Sequence, residues 1–198
     1  KILPGVPVLA LTATATPKVA DDIQDKLEFT DRNVLRMSFN RDNLRYVVRN
    51  TENKEKELTH ILSKLEGSSI VYVRNRRGTK EIADSLNAMG ISAEYYHAGL
   101  EQKTKDDRQR RWSDGVSRVM VATNAFGMGV NIPDIDTVII YEVPLRLEDL
   151  AQQWGRSARS LDKGYCYLLY SRKDIKTAEF LIDSCVIIRY MLSQNFVS

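Results

Sequence analysis

The chain has 198 residues, of which 43% are hydrophobic and 28% are charged, and this balance provides for one globular domain plus a partial neighbour. Its net charge of +3 permits a polyanionic partner without requiring one. The two cysteines, Cys166 and Cys185, exclude a disulfide framework or a cysteine zinc site, and they favour a reducing, intracellular setting. No apolar run approaches the roughly twenty residues that span a bilayer. Because Lys1 stands in place of an initiator Met, we interpret the sequence as a piece of a longer protein.

The first predicted elements are a buried strand from Val6 to Leu11 and a helix running to about Leu27. Thr16 and Pro17 predict the start of that helix, as a hydroxyl cap followed by a proline in the first turn. Two short strand-like stretches follow, Val34 to Met37 and Leu44 to Val48. We interpret the segment between them as the crossing between two lobes.

From Lys54 onward the pattern alternates between helices and strands. The predicted helices are 54–65, 79–89, 102–112, one from 147 into an arginine-bearing run, and 173–183, and the predicted strands are 69–73, 93–96, 118–122, 137–141 and 164–170. This alternation predicts a parallel sheet covered by helices on both faces. In such sheets ligands bind beyond the carboxyl ends of the strands, so the loops after Val73 and Ala122 are predicted to share one edge.

Two loops carry residues suited to binding phosphate. The run Arg74 to Lys80 combines guanidinium groups with the amide groups of a helix start, although a solvated basic turn is an equal alternative on composition. The run Thr123 to Asp134 contains Gly127 and Gly129, which allow the backbone to approach a phosphate closely. A simple connecting loop is the alternative there, but a long loop without secondary structure favours function.

Arg156 and Arg159 suit a cation clamp on the phosphates of a nucleotide, because arginine neutralises the charge that develops in phosphoryl transfer. They follow the helix predicted from Leu147, and their three-residue spacing predicts that both lie on one helix face. The alternative is a solvated basic helix end. His97 lies at the carboxyl edge, where a lone histidine is more often structural than catalytic.

These runs resemble known helicase motifs. The residues 10–16, 39–44, 74–80, 95–100, 121–134 and 152–159 together are similar to the stretch from motif III to motif VI of RecQ DNA helicases, in helicase superfamily two. The resemblance covers nearly the whole chain and implies an α/β fold, a RecA-like lobe with a mostly parallel sheet flanked by helices. It implies four segments: the tail end of a first lobe (1–38), an inter-lobe crossing (39–52), the second motor lobe (53–183) and a helical tail (184–198).

The resemblance also implies residue roles. Arg159 would be the arginine finger, Arg156 a supporting phosphate contact, and Gln152 a coupler of nucleotide to DNA. Nucleotide contacts are implied for Gly155, Gly129, Asn131 and Arg41, DNA contacts for Arg76, Arg77, Asn75, Thr123, Asn124 and His97, coupling between lobes for Thr12 and Thr14, and hinge anchoring for Arg41 and Asn43. The chain departs from the family pattern at Trp154, at Ala158 (for a glycine), at Ser160-Leu161 (for Asp-Gly), at Asn75 (for Ser) and at Ile132 (for Lys).

The implied activity is ATP-driven, 3′-to-5′ unwinding of DNA, with single strands and duplex junctions as partners. ATP and Mg²⁺ would be bound mainly by the first lobe, because this sequence lacks G-x-x-x-x-G-K-[ST], and no metal site is predicted here. The chain alone is expected not to hydrolyse ATP. The parent would act in the bacterial nucleoid or the eukaryotic nucleus. The alternatives are an RNA helicase lobe, which Phe126-Gly127-Met128-Gly129 disfavours, and a degenerate lobe that only binds nucleic acid or protein.

Overall fold

The computed structural model of the chain describes residues 6–12, 15–29, 31–36, 41–127 and 134–182. The chain divides into two compact units, residues 1–40 and 41–198. The first unit contains helix α1 (Pro17–Lys26), which confirms the predicted helix. The Thr16 hydroxyl accepts a hydrogen bond from the Val19 amide at 3.4 Å, and Pro17 occupies the first turn, as expected for a capped helix start.

Two predicted strands of the first unit are wrong. Residues 6–11 and 34–36 form no strand, and Met37 lies outside the described residues. Leu9, Leu11 and Leu35 are strongly exposed. An apolar run becomes a buried strand only where other strands pair with it and helices cover it. Within the described part of the chain, neither run pairs with a strand.

The second unit contains a single described sheet. Its elements are β1 (Leu44–Asn50), α2 (Lys54–Lys64), β2 (Ser69–Tyr72), α3 (Arg76–Ala88), β3 (Ala93–Tyr96), α4 (Gln102–Ser113), β4 (Val119–Ala122), β5 (Thr137–Ile140), α5 (Leu147–Trp154), β6 (Gly164–Tyr170) and α6 (Arg172–Ile182). The strand order is β1-β6-β5-β2-β4-β3, and every neighbouring pair is parallel. The predicted α/β fold with helices on a parallel sheet is confirmed.

The segment predicted as an inter-lobe crossing, residues 39–52, contains a strand of this sheet. β1 pairs with β6 along its whole length, from Leu44 opposite Gly164 to Asn50 opposite Tyr170. Leu44 is buried beside Ala158 and Cys166. The ladder of backbone hydrogen bonds and this apolar contact hold 44–50 at the sheet edge, which confirms the strand-like stretch predicted from Leu44 to Val48 within that segment.

The core has one layer on each face of the sheet. Every residue of β2, β4 and β5 is buried, as expected for the central strands of a parallel sheet. Side chains alternate between the faces. Val71 packs with Leu58, Leu62 and Leu86 on one face. Tyr72 packs with residues that include Trp112, Phe126, Ile140 and Leu150 on the other face.

Two helix boundaries differ from the prediction in ways that affect the site. Helix α3 begins at Arg76 rather than Thr79, because the Asn75 side chain caps it by accepting the Gly78 amide at 2.7 Å. Helix α5 ends at Trp154 instead of continuing into the arginine run. No described helix is long and apolar enough to cross a bilayer.

Candidate nucleotide and nucleic-acid interface

The segment from Gly155 to Leu161, called the arginine loop, follows α5 directly and carries both candidate arginines. Ser157 forms an isolated parallel bridge with Ile135. The Ala158 amide donates to the Ile135 carbonyl at 2.8 Å, and the buried Ser157 hydroxyl donates to the Asp136 carbonyl at 3.3 Å. The middle of the loop is therefore fixed beside the amino-terminal end of β5.

Arg41 and Asn43 hold the same loop from the start of β1. The Arg41 Nη1 atom donates to the Ser157 carbonyl at 2.8 Å, and Nη2 donates to the Ala158 carbonyl. The Asn43 amide donates to the carbonyls of Ala158 and Leu161 at 2.9 and 2.8 Å. The two residues predicted as hinge anchors thus bind the backbone of the arginine loop. Arg41 was also predicted to contact nucleotide, and its guanidinium here donates to the loop carbonyls.

The two arginines of the loop have different surroundings. Arg156 is partly buried, and its Nη1 donates to the Gly127 carbonyl at 2.6 Å. Its Nε is buried and has no hydrogen-bond partner among the described residues. Burial raises the pKa of the neighbouring Tyr72 hydroxyl to about 12, and the charges of Arg156 and Arg159 oppose that rise. Two cations therefore lie near the end of β2.

Arg159 is exposed, and within the described ranges its side chain has no hydrogen-bond or ion-pair partner. The expectation that both arginines share a helix face is wrong. Gly155 ends helix α5, and Ala158 has a φ of 47°, in the left-handed region. This residue redirects the backbone before Arg159. Gly155 itself is exposed, and a Cβ there would lie 2.9 Å from the Ala151 carbonyl oxygen.

The basic residues predicted to contact DNA lie at the carboxyl edge of the sheet. Asn75 uses its side chain to cap α3, and Arg77 pairs with Glu81 at 2.6 Å in an exposed ion pair. Arg76 is exposed and extends over the loop after β3, where a Cβ on Gly99 would lie 2.7 Å from its Nη1. Arg77 thus has a local partner, whereas the Arg76 guanidinium has no hydrogen-bond or ion-pair partner among the described residues.

His97 lies in that neighbouring loop, and its Nδ1 is buried without a hydrogen-bond partner among the residues described. Its pKa is lowered, first by burial and then by the positive charges of Arg76, Arg108 and Lys105. The Arg108 guanidinium lies 3.5 Å from the ring centroid of Tyr95. The edge beside His97 therefore combines several cations, an arrangement that attracts phosphate.

The predicted glycine-bearing loop begins with a turn, residues 123–127, called the glycine turn. The Thr123 amide donates to the Tyr96 carbonyl at 3.2 Å, and the Phe126 amide donates to the Thr123 carbonyl at 3.0 Å. Phe126 is buried, with its ring centroid 4.8 Å from that of Tyr96. Gly127 has a φ of 86°, which glycine adopts without strain. The turn thus presents Asn124 at the surface on a fixed base.

Gln153 is a candidate functional residue that was not predicted from the sequence. The side chain of Gln152, predicted to couple nucleotide to DNA, is exposed and has no hydrogen-bond partner among the described residues, so that role stays a prediction. Gln153 is buried instead, and its Nε2 donates to Asn124 Oδ1. The signal was available in the sequence, because Gln153 follows the apolar residues Leu147 and Leu150 at helical spacing on the buried side of α5.

Some predicted site residues fall elsewhere. Thr14, Gly129 and Asn131 lie outside the described residues, as does the predicted helical tail 184–198. Thr12 is exposed and belongs to the first unit. Among the described residues, no group of three or more His, Cys, Asp or Glu residues could hold a metal ion.

Comparison with known proteins relates the chain to helicases. Residues 53–160, more than half of the chain, match the helicase conserved C-terminal domain. A protein of Acanthamoeba polyphaga mimivirus named "Putative ATP-dependent RNA helicase" is 38% identical over 98% of this chain and 34% of its own length. The "RecQ-like DNA helicase blm-1" of Caenorhabditis elegans is 38% identical over 86% of this chain and 18% of its own length. The chain thus spans about a third or less of these relatives.

The fold has solved counterparts. The crystal structure of a DEAD box protein from the hyperthermophile Methanococcus jannaschii matches 72% of this chain and 40% of its own chain, with a TM-score of 0.62 and 26% identity. This similarity confirms the predicted RecA-like lobe. The chain belongs to the family of helicase conserved C-terminal domains, and over most of its length it resembles helicases of the RecQ type.

Proposed function

We propose that the chain supplies the second motor lobe, residues 53–183, of an ATP-dependent DNA helicase of the RecQ type. In this proposal Arg159 is the arginine finger, and Arg156 supports it. ATP closes the two lobes of the parent protein, and hydrolysis reopens them, which moves the protein 3′ to 5′ along one strand. Residues 1–38 would then be the tail end of the first lobe.

The observation that carries the proposal is the contrast between Arg159 and the loop that bears it. The backbone around it is held by the side chains of Arg41, Asn43 and Ser157. The Arg159 side chain is exposed and has no hydrogen-bond or ion-pair partner among the described residues. A cation on a fixed backbone meets the requirement for stabilising charge that develops on a phosphoryl group, because little reorganisation is needed during the reaction.

DNA would bind at the carboxyl edge through Arg76, Arg77, His97, Thr123 and Asn124. Asn75 has its side-chain oxygen committed to the α3 cap, so its contribution there is to fix the helix start. Nucleotide and Mg²⁺ would be held mainly by the first lobe, since this sequence lacks G-x-x-x-x-G-K-[ST], the motif that cradles phosphates. The residues of this lobe orient the arginines and contribute positive charge.

The test is the Arg159→Ala variant of the complete parent protein. Loss of an arginine finger lowers turnover by about three to five powers of ten, and DNA affinity should be unchanged because Arg159 lies on a different loop from the DNA contacts. Arg110→Ala is the matched control, since Arg110 is exposed and its guanidinium pairs with the nearby Asp107 of the same helix at 2.6 Å. Wild-type ATP turnover in Arg159→Ala would contradict the proposal that Arg159 is the arginine finger.

Two other candidates rest on specific observations. An RNA helicase lobe is favoured by the name of the mimivirus relative, and comparing stimulation of ATP hydrolysis by DNA and by RNA separates it from the leading proposal. A lobe that binds without turnover is favoured by the altered arginine loop, in which Ala158 has a φ of 47°. ATPase silence in the complete parent, with nucleic-acid binding retained, would support that second candidate.

A further inference from the structure

Gln153 is a buried polar residue whose amide joins α5 to the glycine turn. It is only 5% exposed, and its Nε2 donates to Asn124 Oδ1. Its Oε1 is buried and has no hydrogen-bond partner among the described residues. A buried polar atom without a partner destabilises the fold, because it has lost its hydration. An apolar residue of similar shape would avoid this cost, so packing alone does not explain Gln153.

Among the described residues, two side-chain hydrogen bonds join the glycine turn to the end of α5 and to the arginine loop. One is the hydrogen bond between Gln153 and Asn124, and the other is the 2.6 Å bond from Arg156 Nη1 to the Gly127 carbonyl. The turn is closed by its own backbone bond and anchored by the buried Phe126. It therefore moves as a unit, and a shift at its exposed end reaches the last turn of α5, directly before the arginine loop.

We propose that Gln153 is a positioning residue that couples DNA contact at Asn124 to the placement of the arginine loop. It acts through Asn124 and Arg156 and contacts neither DNA nor nucleotide. The inference deepens the proposed function and rests on it. Gln152, whose side chain is exposed on the same helix, keeps its separate proposed role as a coupler of nucleotide to DNA.

The test uses the complete parent protein and a fluorescent single-stranded oligonucleotide. Fluorescence anisotropy gives the DNA dissociation constant with and without a non-hydrolysable ATP analogue, and the ratio of the two constants measures the linkage between the sites. Gln153→Met should move this ratio about tenfold towards one, a change within the usual range of coupling between two sites. Gln153→Glu should retain the linkage, because a carboxyl group can accept from, or when protonated donate to, the Asn124 amide.

The matched control is Gln102→Met. Gln102 Nε2 also donates to a side-chain oxygen, that of Asp106 at 2.8 Å, but the bond is exposed and lies within α4. The linkage ratio of this variant should equal that of the wild type. In an Asn124→Ala background, Gln153→Met should have no further effect on the ratio, because the bond is already lost. Additive effects of the two substitutions would overturn the inference.

Folding does not confuse the outcome. Gln153→Met removes a buried unpaired oxygen and should not lower the melting temperature. If that variant fails to fold, Asn124→Ala removes the same bond from the exposed side, and an unchanged linkage ratio there would equally overturn the inference.

The inference and the proposed function can fail separately. A parent that hydrolyses ATP with DNA stimulation, while Gln153→Met keeps full linkage, overturns the inference alone. A parent that binds both ligands with Gln153-dependent linkage but never hydrolyses ATP supports the coupling and contradicts the motor. A parent that binds neither ligand overturns both.

Discussion

Gly164 faces Ala158 so closely that a Cβ on residue 164 would lie 2.5 Å from the Ala158 Cβ. The Ser157 Oγ would lie at the same distance. Ala158 is fully buried next to Leu44 and Cys166, and it adopts the left-handed conformation that glycine accepts more readily. The space between the start of β6 and the arginine loop therefore holds the Ala158 methyl group but not a second methyl group on residue 164.

This relationship predicts non-additive stability in a double-mutant cycle. Gly164→Ala should lower the free energy of unfolding by about 2 kcal/mol through overpacking. Ala158→Gly alone should change it by less than about 1 kcal/mol, because relief of left-handed strain offsets the lost methyl burial. The double variant should recover part of the stability lost in Gly164→Ala, because the Ala158 methyl group is gone. The recovery should be incomplete, because Ser157 still limits the space. Urea denaturation measures all four proteins, and strictly additive changes would contradict the shared space.

Asn43→Ala should affect turnover more than nucleotide affinity. The substitution removes the bonds to the carbonyls of Ala158 and Leu161, which costs about 1–3 kcal/mol of folding stability. In the parent, kcat should fall while the KM for ATP changes little, because the loop positions Arg159 for the reacting phosphate and not for ground-state binding. A stability loss with wild-type kcat would show that Asn43 serves folding alone.

Breaking the buried Lys54–Asp174 ion pair should cost far more stability than breaking an exposed pair. Lys54 Nζ lies 2.6 Å from the Asp174 carboxylate, with the side chains 10% and 7% exposed, and it also donates to the Tyr141 carbonyl at 2.6 Å. Lys54→Met leaves a buried carboxylate without its cation and should cost about 3 kcal/mol. The control is Lys26→Met, which breaks a Lys–Asp pair with side chains 73% and 55% exposed and should cost under about 0.5 kcal/mol.

The same pair predicts a pH dependence of stability. Burial raises the pKa of Asp174, but hydrogen bonds from Lys54 and Ser171 more than offset it, so the pKa is lowered overall. A carboxyl with a lowered folded pKa stabilises the fold above its unfolded pKa of about 3.9 and loses this contribution as pH falls through the folded value. Acid unfolding of Lys54→Met should show a weaker dependence in that range. An unchanged acid profile would contradict this role.

His97 should titrate below the ordinary histidine range. Burial and then the charges of Arg76, Arg108 and Lys105 lower its pKa, so the neutral ring is favoured in the folded state. A lowered histidine pKa means that stability is lost as pH falls from about 6.5 through the folded value. NMR titration of the ring should show a higher pKa in Arg76→Gln, which removes one cation. It should also rise with DNA bound if a phosphate lies beside the ring, and an unchanged value would argue against that contact.

The alternating elements of the second unit could be predicted because each is short and bounded by a clear change of period. β2, β4 and β5 are apolar runs of four buried residues, and their predicted bounds agree with the structure to within a residue at either end. The run at 6–11 is also apolar, but among the described residues it has no strand to pair with. An apolar composition indicates that a segment can be buried. Whether it is buried depends on the strands and helices that pack against it, and the segment's own sequence does not specify these.

The site was harder to predict, because its details depend on contacts between distant residues. The sequence suggested that Arg41 and Asn43 were anchors, but their targets lie more than a hundred residues away, in the arginine loop. Helical spacing wrongly placed Arg156 and Arg159 on one face, since α5 ends at Trp154 and Ala158 is left-handed, a conformation that the glycine of the family pattern at this position could have indicated. Helical spacing could have placed Gln153 on the buried side of α5, but its pairing with Asn124 exists only in three dimensions.

The pairing of β1 with β6 has a consequence for biosynthesis. Leu44–Asn50 leave the ribosome long before Gly164–Tyr170, yet β6 is the only described strand with which they pair. Until then Tyr46 and Val48 belong to an unpaired strand segment, the kind of surface that joins wrongly with other chains. Closure of this edge also brings Asn43 to the backbone of the arginine loop. The nascent protein thus assembles its candidate catalytic loop only after β6 is available to pair with β1, so that a product truncated before β6 would contain the loop residues without this support.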